Sequence, residues 1–248
     1  MNWWIPLIAA LSGYLLGSIS FTRIMLPRLA PGTRLEEIEE PVPGTSETFS
    51  SSSSGATAIL HQVNAKWGAM TALFDILVAL VPVLLFKLLF PGTYFFLITA
   101  ITAMLGHNYP IYYKFKGGRG LSTMIGGFLV FDFFGTILTS ILGITIGVLS
   151  GQVVLIRWTG ILLMIPWVGF IHGEWQPLLY VILANAIFWF SMRGELKRFL
   201  TLKRQNKLPD QKVVAEFMGM GSMVRLIHRY SIPTLVKRVK ESVSNTIS

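Results

Sequence analysis

The feature that most constrains this chain is a series of long segments without a charged side chain. Three of them run from Trp3 to Thr22, from Gly92 to Tyr113 and from Phe133 to Ile156. They contain 20, 22 and 24 residues, and a helix needs about 20 predominantly apolar residues to cross a bilayer. Only 13% of the 248 residues are charged, too few to cover a water-soluble domain of this size. We therefore predict an all-α integral membrane protein.

Seven apolar segments can be drawn along the chain. They cover about residues 3–25, 67–90, 93–113, 120–131, 133–150, 153–171 and 175–192. The fourth is short for a span, which leaves six spans as an alternative to seven. With seven spans and the N-terminus outside, the loop with Lys114, Lys116 and Arg119, the loop with Arg157 and the basic tail all lie on the cytoplasmic side, where positive loops stay. We predict about seven transmembrane helices, with the N-terminus outside and the C-terminus inside.

The positive charge is concentrated at the C-terminal end. From Arg193 onward the chain has 12 Lys and Arg against four Asp and Glu, which supplies +8 of the net charge of +9. We predict a seven-helix membrane domain at residues 1–200 and a basic amphipathic cytoplasmic tail at 201–248. The absence of cysteine excludes disulfides, thiolate catalysis and cysteine-ligated zinc. We expect no cofactor, no metal and no nucleic-acid partner.

A segment at the predicted cytoplasmic mouth of the third helix carries the clearest chemical signal. It reads Gly106-His107-Asn108-Tyr109-Pro110 and, after four intervening residues, Phe115-Lys116-Gly117-Gly118-Arg119-Gly120. Glycines let a backbone approach an anion closely, and free N–H groups at a helix start point toward it. Lys116 and Arg119 add positive charge. These properties predict a phosphate-binding loop, and the alternative is a basic anchor loop with a tight glycine turn.

Three further polar features lie near predicted helix ends. The serines at residues 50–54, followed by Gly55-Ala56-Thr57, can wrap phosphate oxygens or form a flexible linker. Asp75 lies inside an apolar segment, where an acid is either functional or the structural partner of another polar group. His107 either caps its helix or donates a hydrogen bond to a phosphate or an oxyanion.

Together these motifs resemble the bacterial acyl-phosphate-dependent glycerol-3-phosphate acyltransferase family. That family carries Gly-His-x-x-Pro…Phe-Lys-Gly-Gly-Lys-Gly at the corresponding place, and here Arg119 replaces the second lysine. Its Gly-Ser-Ile-Pro-Phe motif is similar to residues 17–21, and residues 55–57 resemble the end of its serine loop. The family also has an acid at the place of Asp75. The resemblance covers roughly residues 1–200.

The resemblance implies that acyl phosphate donates a fatty acyl group to the 1-hydroxyl of glycerol 3-phosphate. The products are 1-acylglycerol 3-phosphate and phosphate, formed on the cytoplasmic face of the cell membrane during phospholipid synthesis. It implies acyl phosphate, glycerol 3-phosphate and membrane lipid as partners, and leaves the oligomeric state open. We assign catalytic roles to Ser51, His107 and Lys116. The predicted substrate-binding residues are Ser52, Gly55, Thr57, His61, Lys114, Gly117, Gly118, Arg119, Gly120 and Arg193.

Some positions differ from the family pattern. The histidine of the family's last motif is Met192 here, its asparagine is Glu195, and His61 stands in place of an arginine. The alternatives to the predicted reaction are a catalytically altered relative that uses another phosphorylated acceptor, a pseudoenzyme, a small membrane transporter and a scaffold with a lipid-binding tail. We predict acyl transfer by a rebuilt site in which Arg193, Arg198 or the basic tail replaces the lost groups.

Overall fold

The computed structural model describes residues 3–33, 35, 39–41, 48–50, 55–205 and 221–247. In chain order its elements are α1 (Trp4–Gly17), α2 (Phe21–Leu29), β1 (Glu39–Pro41), β2 (Thr48–Ser50), α3 (Ala56–Gln62), α4 (Ala65–Leu89), α5 (Phe95–Asn108), α6 (Leu121–Phe131), α7 (Phe133–Ser150), α8 (Val153–Ile171), α9 (Trp175–Ser191), α10 (Arg193–Arg204), α11 (Gly221–Tyr230) and α12 (Ile232–Ile247). The two strands form a short antiparallel ladder between α2 and α3. Every predicted apolar segment contains helix, so the prediction of a helical protein is confirmed.

The first predicted segment, residues 3–25, is not one helix, and that detail of the prediction is wrong. The helix stops across residues 18–20 and starts again as α2. Ser18 Oγ donates to the Tyr14 carbonyl oxygen at 2.8 Å, and Ser20 Oγ accepts from the backbone N–H of Arg23 at 3.4 Å. Serine hydroxyls compete with the helical ladder for backbone partners and favour N-cap positions. Ser20 therefore begins a second helix.

α1 and α5 pack with almost no side chain between their backbones. A Cβ added to Gly17 would lie 2.1 Å from the Ala103 carbonyl oxygen, and one on Gly106 would lie 2.2 Å from that of Tyr14. Gly13, four residues before Gly17, approaches α5 just as closely. Small residues at this spacing let membrane helices touch along their backbones. The contact fixes the C-terminal end of α5 against α1.

The outer surface of the helix assembly is apolar. Leu88, Phe134 and Phe170 are 68%, 82% and 88% exposed. Within the described residues, three stretches are long and apolar enough to cross a membrane: Trp4–Leu29, which includes the break, Ala65–Leu89 and Phe133–Ser150. Shorter apolar helices are Leu121–Phe131, Trp158–Ile171 and Trp175–Ser191. These properties agree with a helical membrane protein, while the seven spans and their orientation remain predictions.

One residue separates α6 from α7, as the sequence predicts. Asp132 Oδ1 accepts from the Gly135 N–H at 2.8 Å, and its Oδ2 accepts from Trp167 Nε1 at 2.8 Å. His172 Nε2 lies 3.0 Å from the same Oδ2. Partial burial raises the pKa of Asp132, but the hydrogen bonds with His172, Trp167 and Gly135 outweigh it and hold the pKa below its usual range. Asp132 thus joins this turn to the end of α8.

The predicted tail contains helices that fold back onto the membrane domain. α10 runs through residue 200, the predicted domain boundary. After a stretch outside the described residues, α11 places Val224 and Ile227 against Val148, Val153 and Ile156 of α7 and α8. The boundary between residues 200 and 201 remains a prediction.

Candidate active site

The loop that joins α5 to α6, residues 109–120, turns back over the end of α5. It passes through Lys114 and Phe115 with φ of 54° and 61°, in the left-handed region that residues other than glycine rarely adopt. Such backbone strain persists only where the surrounding structure imposes it, and it often occurs at functional sites. Gly120, with φ of 81°, is the N-cap of α6. The Lys114 and Lys116 side chains are exposed beside this turn.

Gly117 and Gly118 lie directly against the last turn of α5. The Gly118 N–H donates to the His107 carbonyl oxygen at 3.0 Å. A Cβ on Gly117 would lie 2.2 Å from that oxygen and 2.6 Å from the Asn108 carbonyl oxygen. A Cβ on Gly118 would lie 2.3 Å from His107 Nε2. A side chain at position 117 would meet backbone atoms, and one at position 118 would displace the His107 ring, so packing favours the Gly-Gly pair of the sequence motif.

The end of α5 forms the floor under these glycines. His107 and Asn108 are 7% and 4% exposed. Asn108 Nδ2 donates to Ser191 Oγ at 2.8 Å, which ties the end of α5 to the end of α9. The His107 imidazole packs against Gly118, so the structure places it in support of the loop. Its predicted contact with substrate stays a prediction.

Arg23, on α2, is a candidate that the sequence motifs did not single out. Its Nη2 donates to the Lys116 carbonyl oxygen at 3.1 Å, and its guanidinium lies 5.0 Å from the centroid of the Tyr113 ring. From α1, the Tyr14 hydroxyl donates to the Tyr109 carbonyl oxygen at 2.8 Å. Both halves of the loop are therefore held by the N-terminal helices. The only sequence signal for Arg23 is its place two residues after the motif at residues 17–21.

A buried carboxylate anchors α2. Asp75 on α4 is 2% exposed, and its side chain interacts with the backbone at Phe21, the first residue of α2. A carboxylate satisfies the free N–H groups at a helix start and opposes the positive end of the helix dipole. Of the two interpretations of Asp75, this geometry favours the structural partner. Because α2 carries Arg23, Asp75 also bears on the position of the loop.

The serine-rich segment at residues 50–57, the second predicted phosphate-binding segment, leads into α3. Ser51 and Ser52 lie outside the described residues. Gly55 precedes α3 with an extended backbone, Thr57 lies in its first turn, and His61 is exposed near its end. Ala58 and Ile59 of α3 pack against Leu26 of α2. Since α2 also carries Arg23, it connects this segment to the Lys116 loop.

The remaining predicted residues lie at the end of α9 and in the loop. Arg119 is half-buried between the glycines of the loop. Arg193 is exposed, and its guanidinium lies 4.1 Å from the centroid of the Phe190 ring. Met192, at the place of the family's histidine, is 5% exposed and belongs to the main hydrophobic core. In the structure His107 therefore packs against the loop at residues 114–120, whereas the Arg193 guanidinium stacks on the Phe190 ring.

Comparison with known proteins identifies this arrangement. Residues 7–202 match the family model of the glycerol-3-phosphate acyltransferases. A glycerol-3-phosphate acyltransferase of Mycoplasma mycoides subsp. mycoides SC is 30% identical over 211 residues, which cover 75% of this chain and 77% of that protein. Another, of Pelagibacter ubique, is 32% identical over 196 residues, 77% of this chain and 92% of that protein.

The fold has a counterpart among crystal structures. PlsY (YgiH), an integral membrane glycerol 3-phosphate acyltransferase, in its glycerol 3-phosphate form, matches 79% of this chain and 92% of its own with a TM-score of 0.68 and 23% identity. The prediction of an integral membrane fold agrees with this likeness. Because the family match extends over most of the chain and includes the loop at residues 109–120, the chain belongs to the glycerol-3-phosphate acyltransferase family.

Proposed function

We propose that this protein is a membrane acyltransferase that moves a fatty acyl group from acyl phosphate to the 1-hydroxyl of glycerol 3-phosphate. The observation that carries the proposal is the Lys116–Arg119 loop, in which two tightly packed glycines lie between two cations. The relatives are named for glycerol 3-phosphate, and PlsY is described in a glycerol 3-phosphate form and a lysophosphatidic acid form. Those names support the proposed acceptor and product.

The loop supplies the charge and the backbone donors that a phosphate monoester needs. Lys116 and Arg119 provide positive charge, and arginine can bind two phosphate oxygens at once. The free N–H groups that open α6 after Gly120 add donors and the positive end of a helix dipole. Arg23 joins this set because it already contacts the Lys116 backbone. We place Gly117, Gly118 and Lys114 around the same phosphate, and Ser52, Gly55, Thr57 and His61 around the acyl phosphate.

The proposed reaction needs no group beyond the two substrates and the protein. The 1-hydroxyl oxygen of the acceptor attacks the acyl carbonyl carbon and forms the ester bond. The bond from that carbon to the phosphate oxygen breaks, and the leaving phosphate takes the hydroxyl proton. Lys116, Ser51 and His107 orient the two phosphorylated substrates and stabilise the charge on the carbonyl oxygen. Positioning and electrostatics then supply the catalysis without a covalent enzyme intermediate.

Met192 requires that another group replace the family's histidine. Its side chain is buried in the core and offers no hydrogen-bond donor. Arg193, the next residue, and Arg23 are the cations that we propose in its place. The burial of Met192 also motivates the second candidate, acyl transfer to a different phosphorylated acceptor.

For the arrangement in the membrane we propose seven spans, with the N-terminus outside and the site on the cytoplasmic face of the cell membrane. The membrane domain then covers residues 1–200, and residues 201–248 form the cytoplasmic tail. Support comes from the basic loop between α5 and α6 and the basic C-terminal region, since positive segments stay inside.

The test is a direct assay of purified protein in detergent. Palmitoyl phosphate and radiolabelled glycerol 3-phosphate are supplied, with palmitoyl-CoA as donor in a parallel reaction. We expect lysophosphatidate from acyl phosphate alone, its loss in Lys116→Ala, and its retention in Lys66→Ala, which removes an exposed lysine at the start of α4. Product from palmitoyl-CoA alone would overturn the donor assignment. Product from other phosphorylated acceptors alone would favour the second candidate.

A further inference from the structure

The C-terminal helices lie beyond residue 202, where the family match ends, and the proposed reaction does not use them. They are nevertheless fixed to the membrane domain. Val224 and Ile227 of α11 are buried against the end of α7 and the start of α8. Ser231, between α11 and α12, is 2% exposed, and a Cβ added to Gly151 would lie 3.5 Å from its Cβ. Gly151 directly follows α7, a candidate span, so this corner lies at the end of a helix that we predict to cross the membrane.

α12 presents an apolar face that the described core does not cover. Ile232, Leu235 and Val236 are 56%, 43% and 48% exposed. Their spacing of three and four residues places them on one side of the helix. On α11, Leu226 and Tyr230 are spaced four apart and are also exposed. A large apolar face beside a spanning helix is the pattern of a helix that lies in the membrane interface.

The charge of these helices matches an anionic surface. Between residues 221 and 247 the sequence has one acid, Glu241, and five cations: Arg225, Arg229, Lys237, Arg238 and Lys240. All five cations are exposed. Arg238 Nη2 donates to the His228 carbonyl oxygen at 3.2 Å, which joins α12 to the end of α11. The anchored corner therefore holds an apolar face and a set of cations together.

We propose that α11 and α12 form an in-plane anchor that binds the anionic lipid headgroups of the leaflet in which α7 ends. The face of Ile232, Leu235 and Val236 inserts at the level of the headgroups, and Lys237 and Lys240 contact lipid phosphates. The inference depends on the position of the corner at the end of α7 and is independent of acyl transfer. Each cation near an anionic membrane surface strengthens binding about fivefold, so two together contribute about 30-fold.

The experiment uses the full chain in lipid nanodiscs. Because the sequence has no cysteine, Val236→Cys gives a single site for a polarity-sensitive fluorophore. One disc contains phosphatidylcholine alone, and the other also contains phosphatidylglycerol. We expect blue-shifted emission only with phosphatidylglycerol, and its reversal near 1 M salt, where the Debye length falls to about 3 Å. Because both leaflets of the disc carry the anionic lipid, the result does not depend on orientation.

Charge variants complete the test. Lys237→Gln with Lys240→Gln should lower the ratio of bound to free anchor about 30-fold and abolish the blue shift. Lys66→Gln, which removes an exposed cation on α4, should leave it unchanged. Identical emission in the two discs, or a blue shift that changes neither with salt nor in the Lys237→Gln, Lys240→Gln variant, would overturn the proposal. Lysophosphatidate synthesis by the same discs reports separately on the proposed function.

Discussion

Gly117→Ala tests whether the close packing of the loop on α5 sets the geometry of the site. The added methyl group would lie 2.2 Å from the His107 carbonyl oxygen, 2.6 Å from that of Asn108 and 2.4 Å from Pro110 Cδ. The two oxygens belong to the backbone of α5, which is itself pressed against α1 and cannot retreat. Unlike Gly120, Gly117 does not have a positive φ, so the substitution acts through steric contact alone.

The expected magnitude follows from these distances. A carbon and a carbonyl oxygen in contact are usually about 3.3 Å apart, so the loop must move by about 1 Å. Overpacking of this kind costs about 1–3 kcal/mol of stability. A displacement of about 1 Å at a catalytic site costs about 100-fold in rate, which is about 2.7 kcal/mol of activation free energy. We therefore expect a protein that remains folded in detergent and makes lysophosphatidate about 100-fold more slowly.

The assay measures kcat and KM for glycerol 3-phosphate with palmitoyl phosphate in excess, and thermal unfolding in the same detergent. Gly169→Ala is the matched control, because its added Cβ has only Leu178 Cδ1 as a neighbour, at 3.8 Å. Alanine is favoured over glycine in a helix by up to about 1 kcal/mol, so this variant should be as active and at least as stable as the parent.

A second variant separates loop geometry from loss of fold. In Gly118→Ala the methyl group meets the His107 ring instead of the backbone, at 2.3 Å from Nε2. The ring can turn aside where a backbone carbonyl cannot, so we expect a smaller loss of stability than for Gly117→Ala, while any loss of rate reports on the role proposed for His107. Parental kcat and KM in Gly117→Ala, in protein of parental thermal stability, would refute the reasoning.

Three further substitutions test Arg23 beside the loop, Asp75 beside α2 and Asp132 in the turn between α6 and α7. Arg23→Gln removes the contact with the Lys116 carbonyl and should raise KM for glycerol 3-phosphate about tenfold in steady-state assays, whereas a parental KM would remove Arg23 from the site. Asp75→Ala removes the buried acid beside the first turn of α2 and should lower the free energy of unfolding by about 1–3 kcal/mol; unchanged thermal unfolding would contradict the anchoring role. Asp132 has a lowered pKa in the folded protein, so it stabilises the fold above its ordinary pKa, and this contribution disappears as the pH falls through the folded value. The unfolding temperature should therefore fall as the pH is lowered, and it should fall less steeply for Asp132→Asn than for the parent. Equal slopes in the two proteins would show that the Asp132 carboxylate does not stabilise the fold.

The sequence alone determined the features that depend on residues close together along the chain. Uncharged runs of 20 residues or more are typical of membrane-spanning segments. They predict helices because every backbone polar group must be hydrogen-bonded within the lipid. The string from Gly106 to Gly120 was sufficient for the family resemblance, which the family match confirms, and it predicts a phosphate-binding loop. The predicted segments 120–131 and 133–150 also place a turn at Asp132, because a charged side chain is unfavourable inside an apolar membrane segment.

The tertiary structure decided which distant groups complete the site. Arg23 and Lys116 are 93 positions apart, as Tyr14 and Tyr109 are 95 apart, so no local pattern could pair them. From the sequence, residues 18–20 looked like continuous helix, because the acid that interacts with the start of α2, Asp75, comes from α4. The glycines of the loop suggested an anion site, and only the packed structure shows that α5 leaves no room for a side chain there. Local sequence determines which backbone conformations are favourable, whereas these contacts depend on how the helices pack.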